Sequence, residues 1–233
     1  MGGLFTMLLF LLACMQLNTD IDEPIACKAD LKVHHVSNTG HKSYDSSVKI
    51  VILDGKEEAG HGSANYFTYS GRNFLLTAAH VVGGELTPVI IDGSEAVQLD
   101  IVYIDYENDI AILIPKKNLK YTKPIKWRVN YEDDLIGKDI VYSGFPSHYE
   151  KVLIRGMVSS EDDSGLIAQS FALPGSSGSV VFDSDGKVLG VVSAVGLHFS
   201  SLSPFPSLQE DMVFVSRVKI TGKMLREVFE CAE

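Results

Sequence analysis

The chain has 233 residues, which is long enough to bury one large core or two smaller ones. It carries 20 Lys and Arg against 30 Asp and Glu, so its formal net charge is −10. No run of basic residues interrupts this acidic background, which excludes nucleic acids and anionic membrane surfaces as expected electrostatic partners.

The chain begins with an apolar run from Leu4 to Leu12. A run of about nine residues is too short for a bilayer, which needs about 20. It is typical of the hydrophobic region of a secretory signal, although no Lys or Arg precedes it. The following Leu11-Leu12-Ala13-Cys14 resembles a bacterial lipobox, in which the cysteine is lipidated and starts the mature chain. A lipidated Cys14, a plain signal peptide and an uncleaved anchor remain open. The segment 1–13 predicts export to the periplasm or the cell surface.

Residues 14–43 are polar and show no sustained period of two or 3.6, so they are predicted to form a tether. Cys27 lies in this segment and Cys231 lies near the end of the chain. An oxidising compartment permits a disulfide between them, and two unrelated thiols are the alternative.

From Tyr44 onward the chain becomes a series of short β-branched and aromatic runs separated by Gly-containing turns. This pattern favours a sandwich or barrel over alternating strands and helices. A polar stretch from Lys116 to Asp134 divides the series, so two barrels are predicted, at about residues 44–118 and 135–220. The predicted strands of the first are Val48 to Leu53, Tyr66 to Tyr69, Phe74 to Leu76, Val89 to Ile91, Val97 to Tyr103 and Ile110 to Ile114. Those of the second are Asp139 to Tyr142, Val152 to Val158, Leu166 to Phe171, Val180 to Phe182, Val188 to Ala194 and Met212 to Val215.

The last segment, at about residues 222–230, has the apolar spacing of one short helix. Its buried stripe is predicted to consist of Met224, Leu225, Val228 and Phe229.

Two segments combine a buried strand with one ionisable side chain. The apolar run from Phe74 to Leu76 passes through Thr77-Ala78-Ala79 and then presents His80, and no other histidine of the chain is framed in this way. Asp109 stands directly before the apolar run from Ile110 to Ile114. A carboxylate beside so much hydrocarbon needs a hydrogen-bond donor, and an imidazole N–H is a suitable one. Asp105 is the rival carboxylate, but its neighbours are more polar.

The third segment is the turn Pro174-Gly175-Ser176-Ser177-Gly178-Ser179, which leads into a β run. A serine-rich loop is usually only a loop. Glycines on both sides of a serine pair, however, allow the backbone to turn its N–H groups toward a developing oxyanion.

Together the three segments resemble the trypsin-like peptidase superfamily, closest to its HtrA-type and staphylococcal glutamyl endopeptidase branches. The order His80, Asp109, Ser177 is the order of that superfamily. The resemblance spans roughly residues 60–229. It implies an all-β chymotrypsin-like fold of two six-stranded antiparallel β-barrels with a short C-terminal helix.

The resemblance also implies roles for individual residues. Ser177 is expected to be the nucleophile, His80 the general base and Asp109 the residue that orients the imidazole. The N–H groups of Gly175 and Ser177 would form the oxyanion hole. Ser176 and Ser179 are the alternative nucleophiles, but only Ser177 occupies the place that the motif reserves. Ser176 stands where zymogen-activated trypsins carry an Asp, so activation through a new N-terminus has no counter-charge.

The residues expected to line the primary specificity pocket carry no charge, which disfavours cleavage after Lys or Arg. Small or medium apolar residues are therefore expected before the cut. The pocket residues implied by the resemblance are Phe171, Ala172 and Leu173 before the oxyanion loop and Ser193, Ala194 and Val195 on the following strand.

The sequence thus predicts a serine endopeptidase that acts on proteins or peptides and needs no cofactor. No metal-binding motif is present, and no PDZ module is expected after the peptidase domain. Two alternatives remain open: a catalytically idle relative that uses the barrels as a binding surface, and a virus-type peptidase that processes a polyprotein.

Overall fold

A computed structural model describes residues 38–198 and 207–231, with the backbone alone at 195–198 and 207–210. Segment 1–13, Cys14, Cys27 and most of the predicted tether lie outside the described residues, so the signal and the lipidation stay predictions. Cys231 is an exposed free thiol, and its bridge to Cys27 also stays a prediction. Within the described ranges no helix is long and apolar enough to cross a membrane.

The first barrel is an antiparallel sheet of six strands that closes on itself. Its strands are β1 Ser47–Asp54, β2 Glu57–Tyr69, β3 Arg72–Thr77, β4 Thr87–Asp92, β5 Glu95–Asp105 and β6 Ile110–Pro115. Their order is β1-β4-β5-β6-β3-β2, and pairing between β1 and β2 completes the ring. The two-residue β7, Ile125–Lys126, runs parallel to β2 and extends the sheet.

The second barrel is also closed and antiparallel. Its strands are β8 Asp139–Gly144, β9 Val152–Asp162, β10 Gly165–Gln169, β11 Val180–Asp183, β12 Val188–His198 and β13 Ser207–Arg217. Their order is β10-β13-β12-β11-β8-β9. A helix, Gly222–Cys231, follows and buries Leu225 and Phe229. The predicted fold class, two six-stranded antiparallel barrels with a short C-terminal helix, is therefore confirmed.

Apolar side chains form three clusters. One fills the first barrel around Ile50, Tyr66 and Leu113. Another fills the second barrel around Tyr142 and Leu189. The third lies between the barrels, where aromatic rings from both meet the C-terminal helix. Its central rings are Phe67, Phe74, Trp127, Phe182 and Phe229, with neighbouring centroids 5.1 to 6.1 Å apart. Contacts at these distances favour a fixed relative position of the two barrels.

The predicted tether ends at residue 43, and residues 38–46 form a helix that packs on the barrels. We call it the docking helix. Its buried side is polar: Thr39, Ser43 and Ser46 are buried and hydrogen-bonded. A helix that buries Ser and Thr has no apolar stripe, so its sequence gives no helical period.

Candidate active site

His80 is placed by a buried strand that ends in small residues. Phe74, Leu75 and Leu76 of β3 are fully buried and fix the strand in the core. Ala78 and Ala79 are also fully buried, and their small side chains leave room for the tight turn into the short helix Ala79–Val82. The imidazole emerges from this turn with its side chain 48% exposed. The predicted base therefore stands on a rigid support and remains accessible.

Asp109 ends the turn between β5 and β6. The carboxylate of Asp105 accepts hydrogen bonds from the N–H groups of Glu107 and Asn108, both at 3.0 Å, and so caps this turn. Asp109 itself has a φ of +53°, a left-handed conformation that Asp tolerates better than most residues. The structure thus gives the rival carboxylates different tasks: Asp105 shapes the turn, and Asp109 faces the histidine.

The imidazole and the carboxylate are joined by several hydrogen bonds. His80 Nδ1 lies 2.8 Å from Asp109 Oδ2 and 3.0 Å from Oδ1, and the backbone N–H of His80 donates to Oδ1 at 2.9 Å. The hydroxyl of Ser193 donates to Oδ2. Since a carboxylate only accepts, Nδ1 carries the hydrogen, and Nε2 of the neutral ring presents its lone pair.

The same contacts set the charge of Asp109. Burial raises the pKa of this carboxyl, but hydrogen bonds from the His80 ring, from Ser193 and from the His80 backbone outweigh it. The pKa of Asp109 is therefore lowered from its ordinary value, and the group is an anion at neutral pH.

Ser193 reaches Asp109 because β12 is irregular at this point. Val192 pairs with Val215 and Ala194 pairs with Phe214, so Ser193 is an extra residue without a partner on β13. Such a β-bulge re-aims the side chain and is common beside active sites. The sequence predicted Ser193 as a substrate-binding residue, and its contact with Asp109 was missed.

Residues 174–179, which we call the serine turn, are held in a closed loop by hydrogen bonds within the turn and to the residue before it. Ser176 N–H donates to Leu173 O at 2.9 Å, and Ser179 N–H donates to Ser176 O at 3.0 Å. The side chain of Ser176 accepts from Leu173 N–H at 3.2 Å. Ser176 and Ser179 are buried, whereas Ser177 is partly exposed. Of the three serines that compete for the nucleophile position, only Ser177 is accessible.

Ser63 of β2 ties this turn to the first barrel. Its hydroxyl donates to Gly175 O at 2.7 Å, and its N–H donates to Ser177 O at 2.8 Å. On the other side, Gly178 N–H donates to Val192 O at 2.7 Å. Within the described part of the chain, neither the N–H of Gly175 nor that of Ser177 donates a hydrogen bond, and the Ser177 hydroxyl makes none. The two predicted oxyanion donors thus have no acceptor among these residues.

A cavity of about 290 Å³ adjoins the serine turn. Its lining includes three of the predicted pocket residues, Ala172, Leu173 and Ala194, together with Val192, which the sequence reasoning missed. The other lining residues are Pro174, Ser176 and Ser177. Phe171 is exposed outside this cavity, and the side chain of Val195 lies outside the described residues. Larger cavities of about 490 and 570 Å³ share no lining residue with this site.

Comparison with known proteins agrees with the fold described above. The serine endoprotease from Yersinia pestis superposes with a TM-score of 0.64 at 17% identity, covering 84% of this chain and 67% of that one. The HtrA-type protease AlgW, solved with a tripeptide, gives 0.63 at 19% identity, with coverages of 85% and 64%. At these identities the likeness shows the fold alone.

No curated protein sequence matches the chain. Residues 62–191, more than half of the chain, match the family model described as the trypsin-like peptidase domain. The chain therefore belongs to the trypsin-like peptidase family.

Proposed function

We propose that this peptidase is a serine endopeptidase that hydrolyses peptide bonds through an acyl-enzyme on Ser177. The observation that carries the proposal is the His80–Asp109 pair at 2.8 Å, together with the accessible Ser177. The two are linked through β12, where Val192 O accepts from the N–H of Gly178 and the next residue, Ser193, donates to Asp109. The family membership supports the hydrolysis of peptide bonds, and the residue roles are our own assignment.

In the proposed reaction, His80 Nε2 takes the proton of the Ser177 hydroxyl as its oxygen attacks the scissile carbonyl. The same imidazole then donates that proton to the leaving amine. Asp109, which already accepts from Nδ1, stabilises the imidazolium that forms in between. In the second half, His80 Nε2 takes a proton from water as the water oxygen attacks the acyl carbonyl. The bond to Ser177 Oγ then breaks, the imidazole returns the proton to this oxygen, and the acid product leaves.

The N–H groups of Gly175 and Ser177 would stabilise the negative charge on the carbonyl oxygen by donating hydrogen bonds to it. Gly175 has a φ of +95°, and a Cβ at this position would lie 2.5 Å from His61 Nε2 and from Phe145 O. Glycine is therefore the residue that this backbone needs. Preorganised donors of this kind contribute about 3 to 4 kcal/mol each to transition-state stabilisation in measured cases.

Covalent labelling tests the proposal. A fluorophosphonate should modify the full chain once, and peptide mapping should place the adduct on Ser177. Ser177→Ala should abolish the adduct. Ser179→Ala is the matched control, because the Ser179 hydroxyl is buried without a hydrogen-bond partner, and it should keep the adduct. Labelling that survives Ser177→Ala would contradict the assignment.

We further propose that the cavity of about 290 Å³ binds the substrate side chain before the cut, with a preference for Val, Ala, Ile or Leu. None of its lining side chains carries a charge, so a buried Lys, Arg or Glu would lack a partner.

A peptide panel with one residue varied before the cut should show this preference. Ala194→Leu, which adds three carbons to the lining and narrows the cavity, should shift kcat/KM from Leu toward Ala by about tenfold or more, or about 1.4 kcal/mol in transition-state binding. Wild-type cleavage that prefers Arg, Lys or Glu tenfold would contradict the pocket assignment.

A further inference from the structure

Asn65 of β2 is a fully buried amide that contacts both the docking helix and the end of the serine turn. Its Nδ2 donates to Ser43 O at 3.0 Å and to the Ser46 hydroxyl at 2.8 Å, both on the docking helix. Its Oδ1 accepts from the N–H of Val180 at 3.1 Å. The partners fix the orientation of the amide, since a backbone carbonyl can only accept and a backbone N–H can only donate.

The bond to Val180 acts at the end of the serine turn. Val180 is the first residue of β11 and stands three positions after Ser177. Ser63, which holds Gly175 O at the start of the turn, is two residues before Asn65 on β2. Residues two apart on a strand point to the same side. One side of β2 thus holds the turn at both of its ends.

The docking helix is fixed independently to the second barrel. The hydroxyl of Ser43 donates to that of Ser143 on β8 at 3.2 Å, and Lys151 Nζ donates to Tyr44 O at 2.9 Å. Thr39 donates to Ser184 O at 3.1 Å, in the turn after β11. If the helix left this position, two N–H groups of a buried amide would lose their acceptors, which is costly.

We propose that Asn65 is a positioning residue that connects the docking helix to the serine turn, so that full reactivity of Ser177 requires the seated helix. The inference rests on the proposed function of Ser177. Asn65 acts through the backbone of Val180 and touches no substrate, and its effect is on the placement of the nucleophile.

Three full-length variants separate positioning from stability. Asn65→Leu keeps the branched shape and the number of side-chain heavy atoms and removes all three hydrogen bonds. Ser46→Ala removes one acceptor on the helix and keeps the bond to Val180. Thr39→Val is the control, because it removes a helix-docking hydrogen bond that does not pass through Asn65. We measure four quantities for each variant: the rate constant of fluorophosphonate labelling, kcat, KM and the thermal midpoint. The kinetics are measured at a temperature well below that midpoint.

We expect Asn65→Leu to lower the labelling rate constant and kcat at least tenfold with KM within twofold. Ser46→Ala should lower both two- to fivefold, and Thr39→Val should keep the wild-type rate while lowering the thermal midpoint. Wild-type labelling in Asn65→Leu and Ser46→Ala would overturn the inference, and so would an equal loss in Thr39→Val and Ser46→Ala. If Asn65→Leu does not fold, the last two variants decide. Absence of labelling in the wild type would instead contradict the proposed function.

Discussion

Replacing Asp109 with Asn should lower kcat by about 10⁴-fold while the protein remains folded, by analogy with the same change in a characterised triad. In this chain Asp109 is surrounded by donors: His80 Nδ1, the His80 backbone N–H and the Ser193 hydroxyl. In Asp109→Asn the side-chain N–H₂ group would point toward His80 Nδ1, which would then have to accept a hydrogen bond instead of donating one. The imidazole would then adopt the other tautomer, with the hydrogen on Nε2, and could not accept the proton of Ser177.

Asp105→Asn is the matched control, because it makes the same chemical change four residues away in the cap of the turn. It should lower stability and keep kcat within about tenfold of wild type. Steady-state kinetics on one peptide substrate decide the comparison. A kcat for Asp109→Asn within tenfold of wild type would show that Asp109 does not orient the base.

The pH dependence of stability gives the Asp109 variant a second readout. Folding lowers the pKa of Asp109, so its ionised form stabilises the native state above the pKa of the unfolded chain. That contribution is lost as the pH falls through the folded pKa. The stability difference between wild type and Asp109→Asn, measured by urea denaturation, should therefore shrink toward acid pH.

Gly178→Ala should lower the free energy of unfolding of the protein and abolish the reactivity of Ser177. Gly178 has a φ of +86°, and a Cβ would lie 2.1 Å from Ser63 O and from Thr77 Oγ1. The left-handed conformation costs a non-glycine residue about 1–2 kcal/mol, and the clash adds about 1–3 kcal/mol. The sum, about 2–5 kcal/mol, is a large part of a typical stability of about 5–15 kcal/mol.

Gly55→Ala is the control for the Gly178 variant. Gly55 has a φ of +62°, and nothing lies within 4 Å of its added Cβ, so only the conformational cost applies. Urea denaturation should show a larger loss for Gly178→Ala, together with a loss of fluorophosphonate labelling. Equal costs for the two substitutions would mean that the turn can move away from Ser63.

The strands were predictable wherever burial on one face leaves an alternating pattern. In β5, Val97 and Leu99 are buried while Gln98 and Asp100 are exposed, and this period of two is visible in the sequence. The N-terminal half of β2 was missed, because Glu57 to Gly62 are polar or small residues. That half is held by backbone pairing with β1, which leaves no pattern of side chains.

The candidate site divides in a similar way. His80, Asp109 and the serine turn each stand next to a buried run, and this local contrast made them visible. The contacts of Ser193 and Asn65 depend on which strands meet in three dimensions and on a bulge in one of them. No spacing within the chain contains that information, so Ser193 was predicted as a pocket residue and Asn65 was not predicted as a site residue.

Neighbouring residues at the bulge of β12 contribute to two different parts of the site, the cavity and the support of Asp109. Val192 and Ala194 line the cavity, while Ser193 between them binds Asp109. A substitution at Ala194 is therefore expected to change the shape of the proposed pocket without removing the hydrogen bonds that Asp109 accepts. Under the proposed pocket assignment, we expect single substitutions here to change selectivity while reactivity is kept, which makes position 194 the natural starting point for redesigning substrate preference.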